Sequence, residues 1–253
     1  MKRSRPILAA IGFFFLAWWA ASFFVEKVLH LPILPSPILV LGKFYGLLFK
    51  GLGTHALYSL YRIGMGVGIS WMTAGILGMA MGQSSLLDRL LAPIAYLLYP
   101  APKIAFLPVI MLFLGMGESS RIFIIGLIIF FQILIATRDK VREIRKEDLY
   151  SIQSLGAGRW DIFRHLILPA CLPGIISALR VSLGTAMAVL FMAEYAGGTN
   201  WGIGYLIMDA FSRIDYPEMY AAILSLGLMG YLLFGIVDIM ERVFCPWIRH
   251  NKM

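Results

Sequence analysis

The sequence predicts an all-α, polytopic membrane protein with six transmembrane helices, and three observations point there. First, 60% of the 253 residues are hydrophobic and 14% are charged, where an ordinary soluble domain is about half apolar and about a quarter charged. Second, the apolar residues recur along the whole chain in six stretches, each near the roughly 20 residues that a bilayer crossing takes. Third, Lys and Arg gather on alternate connecting segments, the pattern that marks cytoplasmic loops. A soluble fold of this length has too little interior to hide so much apolar surface. A soluble enzyme, a disordered tail and a secreted disulfide scaffold are therefore excluded.

The spans follow in order. The first, 7–25, comes after Lys2, Arg3 and Arg5 and mimics a signal peptide. Its apolar stretch exceeds a typical signal core and five more spans follow, so it reads as a retained helix. The second, 56–81, brings Gly64, Gly68, Gly75, Gly78 and Gly82; the small-xxx-small spacings 64/68 and 78/82 permit close helix approach. The third, 91–116, carries Pro93, Pro100, Pro102 and Pro108. Carbonyls freed by prolines need partners, so this span is expected to be broken and to be buried or to face a cavity. Spans 121–137, 170–197 and 219–244 complete the set. With no internal repeat and no soluble segment, residues 1–253 read as a single transmembrane domain.

The net charge of +8 comes from 22 Lys and Arg against 14 Asp and Glu. With the N-terminus inside, 14 of the 22 basic residues fall on inner segments and five (Lys27, Lys43, Lys50, Arg121 and Arg213) on outer ones. That bias places both termini in the cytoplasm and gives the charge a topological use rather than a nucleic-acid one. Cys171 and Cys245 are far apart, and the four histidines have no ligand spacing, so neither a disulfide framework nor a metal site is expected.

One inner segment differs from the rest. Residues 138–169 carry seven basic and five acidic side chains. Val141, Ile144, Ile152 and Leu155 recur at helical spacing, as do Trp160, Phe163 and Ile167 after Gly156-Ala157-Gly158. Two short amphipathic helices are expected, joined at the glycines and closed by Pro169 before the next span. Their apolar sides fit lipid, the protein's own helices or a partner.

The run Leu155-Gly156-Ala157-Gly158-Arg159-Trp160, continuing to Leu166-Ile167-Leu168-Pro169, resembles the cytoplasmic loop of permease subunits in binding-protein-dependent ABC importers. That loop has the pattern Glu-Ala-Ala, three residues, Gly, nine residues, Ile-x-Leu-Pro. Gly156, Leu166, Leu168 and Pro169 fit its spacing; Tyr150-Ser151-Ile152 departs from Glu-Ala-Ala, with Glu147 one turn upstream. Further along the chain, Leu34-Pro35-Ser36-Pro37 with 55–62, Pro102 to Pro108 with Gly115-Met116-Gly117-Glu118, and Ala193-Glu194 with 202–207 resemble the nitrate, sulfonate and taurine type. The resemblance implies a type I-like ABC permease fold in a bacterial plasma membrane. It also implies a homodimer served by two cytosolic ATPases and an extracytoplasmic substrate-binding protein, with ATP bound by the partners and no cofactor of its own. The ATPase-coupling residues it implies are Glu147, Tyr150, Gly156, Arg159, Trp160, Phe163 and Pro169. The implied cargo is a small anion such as a sulfonate, taurine or nitrate, or alternatively a neutral or cationic vitamin precursor.

The residues add their own candidates. An ionisable group inside a span needs an explanation, because a charge there costs at least a few kcal/mol. Lys103, in the proline-broken span, either attracts an anion into a water-filled path, snorkels, or pairs with a carboxylate. Arg62 is a path candidate which, like Arg180, lies closer to a span end, where the rival role is to snorkel. Glu194 is a path candidate that could gate or pair with a base, with a structural ion pair as its rival role. No phosphate-binding loop, His/carboxylate cluster or other catalytic motif occurs, so no catalytic residue is assigned and the energy for uphill transport must come from elsewhere. The rival from another class, an integral-membrane enzyme or assembly factor, needs a polar cluster at one membrane face.

Overall fold

The computed structural model describes residues 4–28, 30, 32–196 and 198–247. Lys2, Arg3 and the span end Gly197 lie outside them, as do Arg249 and Lys252, two of the 14 inner basic residues. The described chain is helical: α1 (Ser4–Lys27), α2 (Pro37–Phe49), α3 (Leu52–Gln83), α4 (Ser85–Leu98), α5 (Leu107–Leu114), α6 (Glu118–Arg142), α7 (Lys146–Ser154), α8 (Arg159–Ile162), α9 (Leu168–Ala196), α10 (Ile203–Ser212) and α11 (Tyr216–Phe244).

Among the described residues, α3, α6, the run Arg159–Ala196 and α11 are each long and apolar enough to cross a membrane. Helix α1 covers the first expected span with 24 residues. The third expected span is broken, as its prolines led one to expect. It is two pieces, Ser85–Leu98 and Lys103–Leu114, bent by 86°. Pro100 and Pro102 lack the N–H a helix needs, and α4 ends at Leu98 with Tyr99 as its cap, just before the first of them. Pro93 is tolerated inside α4, and Pro108 sits in the first turn of α5, where its missing N–H is harmless.

One correction concerns Pro169. It does not close a separate amphipathic helix, because α8 runs through a π-turn at Phe163–Ile167 into α9. The Leu168 N–H reaches the Phe163 carbonyl, five residues back. This wider turn lets the helix pass the proline, whose ring would otherwise meet the carbonyl four residues earlier. The stretches expected to be plain outer segments also hold helices, α2 and α10.

The fold divides into two compact units, residues 1–59 with 199–228 and residues 60–198 with 229–253. In the first, Ser22 Oγ donates to the Leu34 carbonyl at 2.8 Å, and Lys43 pairs with Asp215 at 2.6 Å. Ser59 Oγ accepts the Ile203 N–H at 2.9 Å, and Tyr58 stacks on Trp201.

In the second unit, α6 packs along α9. Helix α6 buries Ile125, Ile129 and Ile133 at four-residue steps, and α9 buries Ile176, Leu179, Leu183, Ala186, Leu190 and Ala193 at alternating three- and four-residue steps. These are the one-face periodicities of a helix. Helix α3 presents Gly66, Ser70, Ala74, Gly78 and Gly82, all small and all four apart. Ser70 Oγ donates to the Gly126 carbonyl at 2.7 Å. A Cβ on Gly78 would lie 2.7 Å from the Leu134 carbonyl oxygen, and one on Gly82 would overlap the Val141 side chain. Of the two spacings read from sequence, 78/82 is therefore the helix contact, whereas Gly64 and Gly68 have nothing within 4 Å of an added Cβ.

Gly78→Val is accordingly expected to destabilise by about 1–3 kcal/mol through overpacking. The measurement is the thermal unfolding midpoint of the detergent-solubilised protein, with Gly64→Val as the control. Equal losses in the two variants would refute the assigned contact.

Candidate functional site

Two constructions in the second unit gather the candidate residues. The first is a buried ion cluster. Arg62 of α3 is fully buried. Its Nε and Nη2 donate to the two carboxylate oxygens of Glu118, at 2.6 and 2.7 Å, and its Nη1 donates to Glu194 Oε1 at 2.8 Å. Glu194, near the C-terminal end of α9, is 1% exposed. Arg121 donates from Nη1 to Glu118 Oε1 at 3.0 Å and from Nη2 to the Met116 carbonyl at 3.0 Å.

The local sequence builds this arrangement. Gly117 is extended and caps α6, placing Glu118 in its first turn, where the helix N-terminus favours a carboxylate. Arg62 is the residue suited to bridge two carboxylates, because its planar fork binds one bidentately and keeps a donor for another. The cluster balances two positive against two negative charges, as a buried site requires. Arg62 and Glu194, singled out from sequence, are thus brought together as an ion pair. Glu118 and Arg121 were not singled out as site residues. Glu118 appeared only in a family motif, and Arg121 was counted as an outer-segment charge, although it is 3% exposed.

Lys103 belongs to a different setting. It is largely buried, its Nζ donates to the Tyr99 carbonyl at 2.8 Å, and it lies 5.2 Å from the centre of the Phe131 ring. It thereby satisfies a carbonyl at the end of α4, where a cation is favoured. Among the described residues no carboxylate pairs with it. Arg180, the other basic residue placed in a span, pairs with Asp238 and Glu241 of α11.

The second construction is the segment 138–169. At its start Arg138 grips Asp88 of α4 through Nε and Nη2, at 2.7 and 2.9 Å, and Arg142 adds a contact to the same carboxylate at 2.7 Å. Helix α7 then begins after Arg145, whose guanidinium reaches Asp148 at 2.8 Å and is held protonated by that hydrogen bond. Helix α7 ends in a double-bonded turn. The Gly156 N–H reaches the Gln153 carbonyl, and the Ala157 N–H reaches the Ile152 carbonyl. This is the Schellman closure, which needs a left-handed residue at the position after the cap. Gly156 supplies it with φ +82°. Asp161 then accepts the Gly158 N–H at 3.0 Å and fixes the start of α8.

The apolar residues divide in a way that spacing alone did not give. Ile144, Leu149, Ile152, Ala157, Phe163 and Leu166 pack against Val141, Ile162, Ile167, Cys171 and Ile175. Leu155, grouped with Val141, Ile144 and Ile152 by its spacing, is 86% exposed, because it is the cap residue where the helix turns away. Trp160 is 68% exposed and stacks on Phe163 at 5.5 Å. Tyr150 on α7 is also exposed, and Leu155 and Trp160 project from either side of a tightly capped turn. Glu147 and Arg159 are exposed beside it, and Pro169 lies within the helix behind it.

Residues 66–250 match the family described as binding-protein-dependent transport system inner membrane component. The chain is 29% identical over 253 residues to the taurine transport system permease protein TauC of Escherichia coli strain K12, covering 96% of this chain and 91% of that protein. It is 32% identical over 216 residues to the riboflavin transport system permease protein RibX of Chloroflexus aurantiacus, covering 85% and 80%. A structure of the MetNI methionine ABC transporter in an inward-facing conformation aligns with a TM-score of 0.59 at 20% identity, covering 73% of this chain and 94% of that one. The two chains share a fold.

Proposed function

Since the chain belongs to the family of inner membrane components of binding-protein-dependent transport systems, and is thus an ABC importer permease and not an enzyme, we propose that its cargo is a small sulfonate or related anion. The integral-membrane enzyme or assembly factor falls with that assignment. Two copies would form the path, two ATPases would engage the 138–169 segments, and an extracytoplasmic binding protein would deliver the cargo. Both termini would then lie in the cytoplasm.

The observation that carries the coupling role is the exposed Trp160 on a rigid turn that is continuous with a span. From Trp160 to Glu194 the helix is unbroken, about 50 Å at 1.5 Å per residue. A push on Trp160 by closing ATPases would therefore reach the Arg62–Glu118–Glu194 cluster as the tilt of one rod. Alternating access needs this kind of rigid-body transmission. Glu147, Tyr150, Gly156, Arg159, Phe163 and Pro169 would shape or flank the same surface.

A sulfonate-bearing cargo is supported by the taurine relative, taurine being a zwitterion with a sulfonate group, and by Lys103. Of the path candidates Lys103, Arg62 and Glu194, Lys103 alone carries a charge that no described carboxylate balances. In a low-dielectric path that charge attracts an anion more strongly than it would in water. The riboflavin relative supports the second cargo class, a neutral or cationic vitamin precursor. The test is ATP-driven uptake into proteoliposomes holding permease, ATPase and binding protein, with taurine and riboflavin as alternative cargoes. Taurine uptake that falls several-fold in Lys103→Ala, with assembly intact, is the expected result. Uptake of riboflavin alone, or taurine uptake unaltered by the substitution at every salt concentration, would overturn the anionic reading.

A further inference from the structure

Beside the exposed turn lies a groove of about 450 Å³ that neither the ion cluster nor the projecting aromatics use. Its floor is apolar, formed by Val141, Ile162 and Ile167, which are buried in the surrounding helices. Its polar edge carries Arg145, Lys146 and Arg159. No Asp or Glu lines it. Arg145 is held by Asp148, whereas Lys146 and Arg159 have no carboxylate partner among the described residues. Glu147 shares the first turn of α7 but is not among the residues that line the groove. Two uncompensated cations thus stand over a hydrocarbon floor.

The position of the groove matters as much as its charge. Its third wall is Gly82 and Gln83, the last residues of α3, and Val141 is in the last turn of α6. Both helices are apolar spans, so the groove opens at the level where hydrocarbon gives way to lipid headgroups. A small free anion could satisfy the two cations but would leave the floor wet. A ligand with a phosphate at one end and hydrocarbon at the other satisfies both halves. Basic pockets at the ends of membrane helices take such headgroups.

We propose that this groove binds the headgroup of an anionic phospholipid, its phosphate between Lys146 and Arg159 and its glycerol and upper acyl chain against Val141, Ile162 and Ile167. The assignment does not depend on the identity of the cargo.

The experiment measures retained lipid on the full-length permease. The purified protein is exchanged into detergent with phosphatidylglycerol or phosphatidylcholine, and bound lipid is counted by native mass spectrometry. Phosphatidylglycerol is expected to be retained over phosphatidylcholine. Removing two surface cations should weaken that retention roughly 30-fold, at about one kcal/mol each, so Lys146→Gln with Arg159→Gln should approach the phosphatidylcholine level. Lys146→Gln alone should show part of the loss. Lys140→Gln, whose ammonium already pairs with Glu143, should retain lipid like the parent. Retention unaffected by the double substitution would overturn the proposal. So would displacement of the lipid by millimolar inorganic phosphate, which would indicate a free-anion site. Loss of the lipid on docking of the ATPase would likewise assign the groove to the protein interface.

Discussion

Arg62→Gln is expected to cost about 3–5 kcal/mol of stability and most of the folded protein, because it removes one charge of a buried ion pair. Glu194 would lose the Arg62 guanidinium while remaining 1% exposed, and Glu118 would lose its bidentate contact and keep that to Arg121. The measurements are the yield of monodisperse protein from membranes and its thermal midpoint. A compensating variant separates packing from passage. Arg62→Met combined with Glu194→Leu removes both charges of the Arg62–Glu194 pair and leaves Arg121 with Glu118, and an apolar replacement of a buried pair is often neutral or better. The double variant should therefore recover most of the lost stability. If the cluster also takes part in transport, the double variant will fold without transporting. Parent-like stability of Arg62→Gln alone would show that the cluster is not what holds α3, α6 and α9 together at this end.

Gly156→Val and Trp160→Ala are each expected to uncouple ATP hydrolysis from uptake, for different reasons. An added side chain at Gly156 would meet open space, so the obstacle is the backbone. A residue with a Cβ loses about 1–2 kcal/mol in the left-handed region, and a β-branched one is a worse fit. The Schellman closure of α7 would loosen, and the turn presenting Trp160 would lose its orientation. Trp160→Ala leaves the turn alone and removes the projecting ring, which at a buried interface centre is worth about 2 kcal/mol or more. Gly156→Asn is the control, since asparagine tolerates the left-handed region, and it should retain most coupling. Pull-down of the ATPase and the ratio of ATP hydrolysed to cargo moved provide the two readouts. Retention of the ATPase by both Gly156→Val and Trp160→Ala would place the coupling surface elsewhere.

Composition and periodicity made the spans legible wherever a single helix had to satisfy its own backbone in hydrocarbon. Helices α3, α6, α9 and α11 lie where the apolar stretches are, because a lipid-exposed backbone leaves few alternatives to a continuous helix. The segment 138–169 was legible as two amphipathic pieces joined at Gly156, because glycine at a helix end and the three-to-four spacing are local signals. Those signals did not reveal that the second piece is the start of the next span. The π-turn that carries the helix past Pro169 depends on how α8 is anchored, with Ile162 and Ile167 packed against Val141, Cys171 and Ile175.

The sequence by itself determined that this is a membrane-spanning helical protein, that its long basic segment is distinctive, and that Arg62, Lys103 and Glu194 are ionisable groups needing partners. Only the tertiary structure decided which partners they have. Arg62 is 56 residues from Glu118 and 132 from Glu194, and no local pattern records a contact between side chains on three separate helices. The same holds for the α3 stripe of Gly66, Ser70, Ala74, Gly78 and Gly82: its spacing shows that some helix can approach closely, but α6 is chosen by the facing surfaces of Gly126, Leu134 and Val141. Periodicity fixes which residues share a face. The neighbour of that face is fixed by shape and charge matching between segments far apart in the chain.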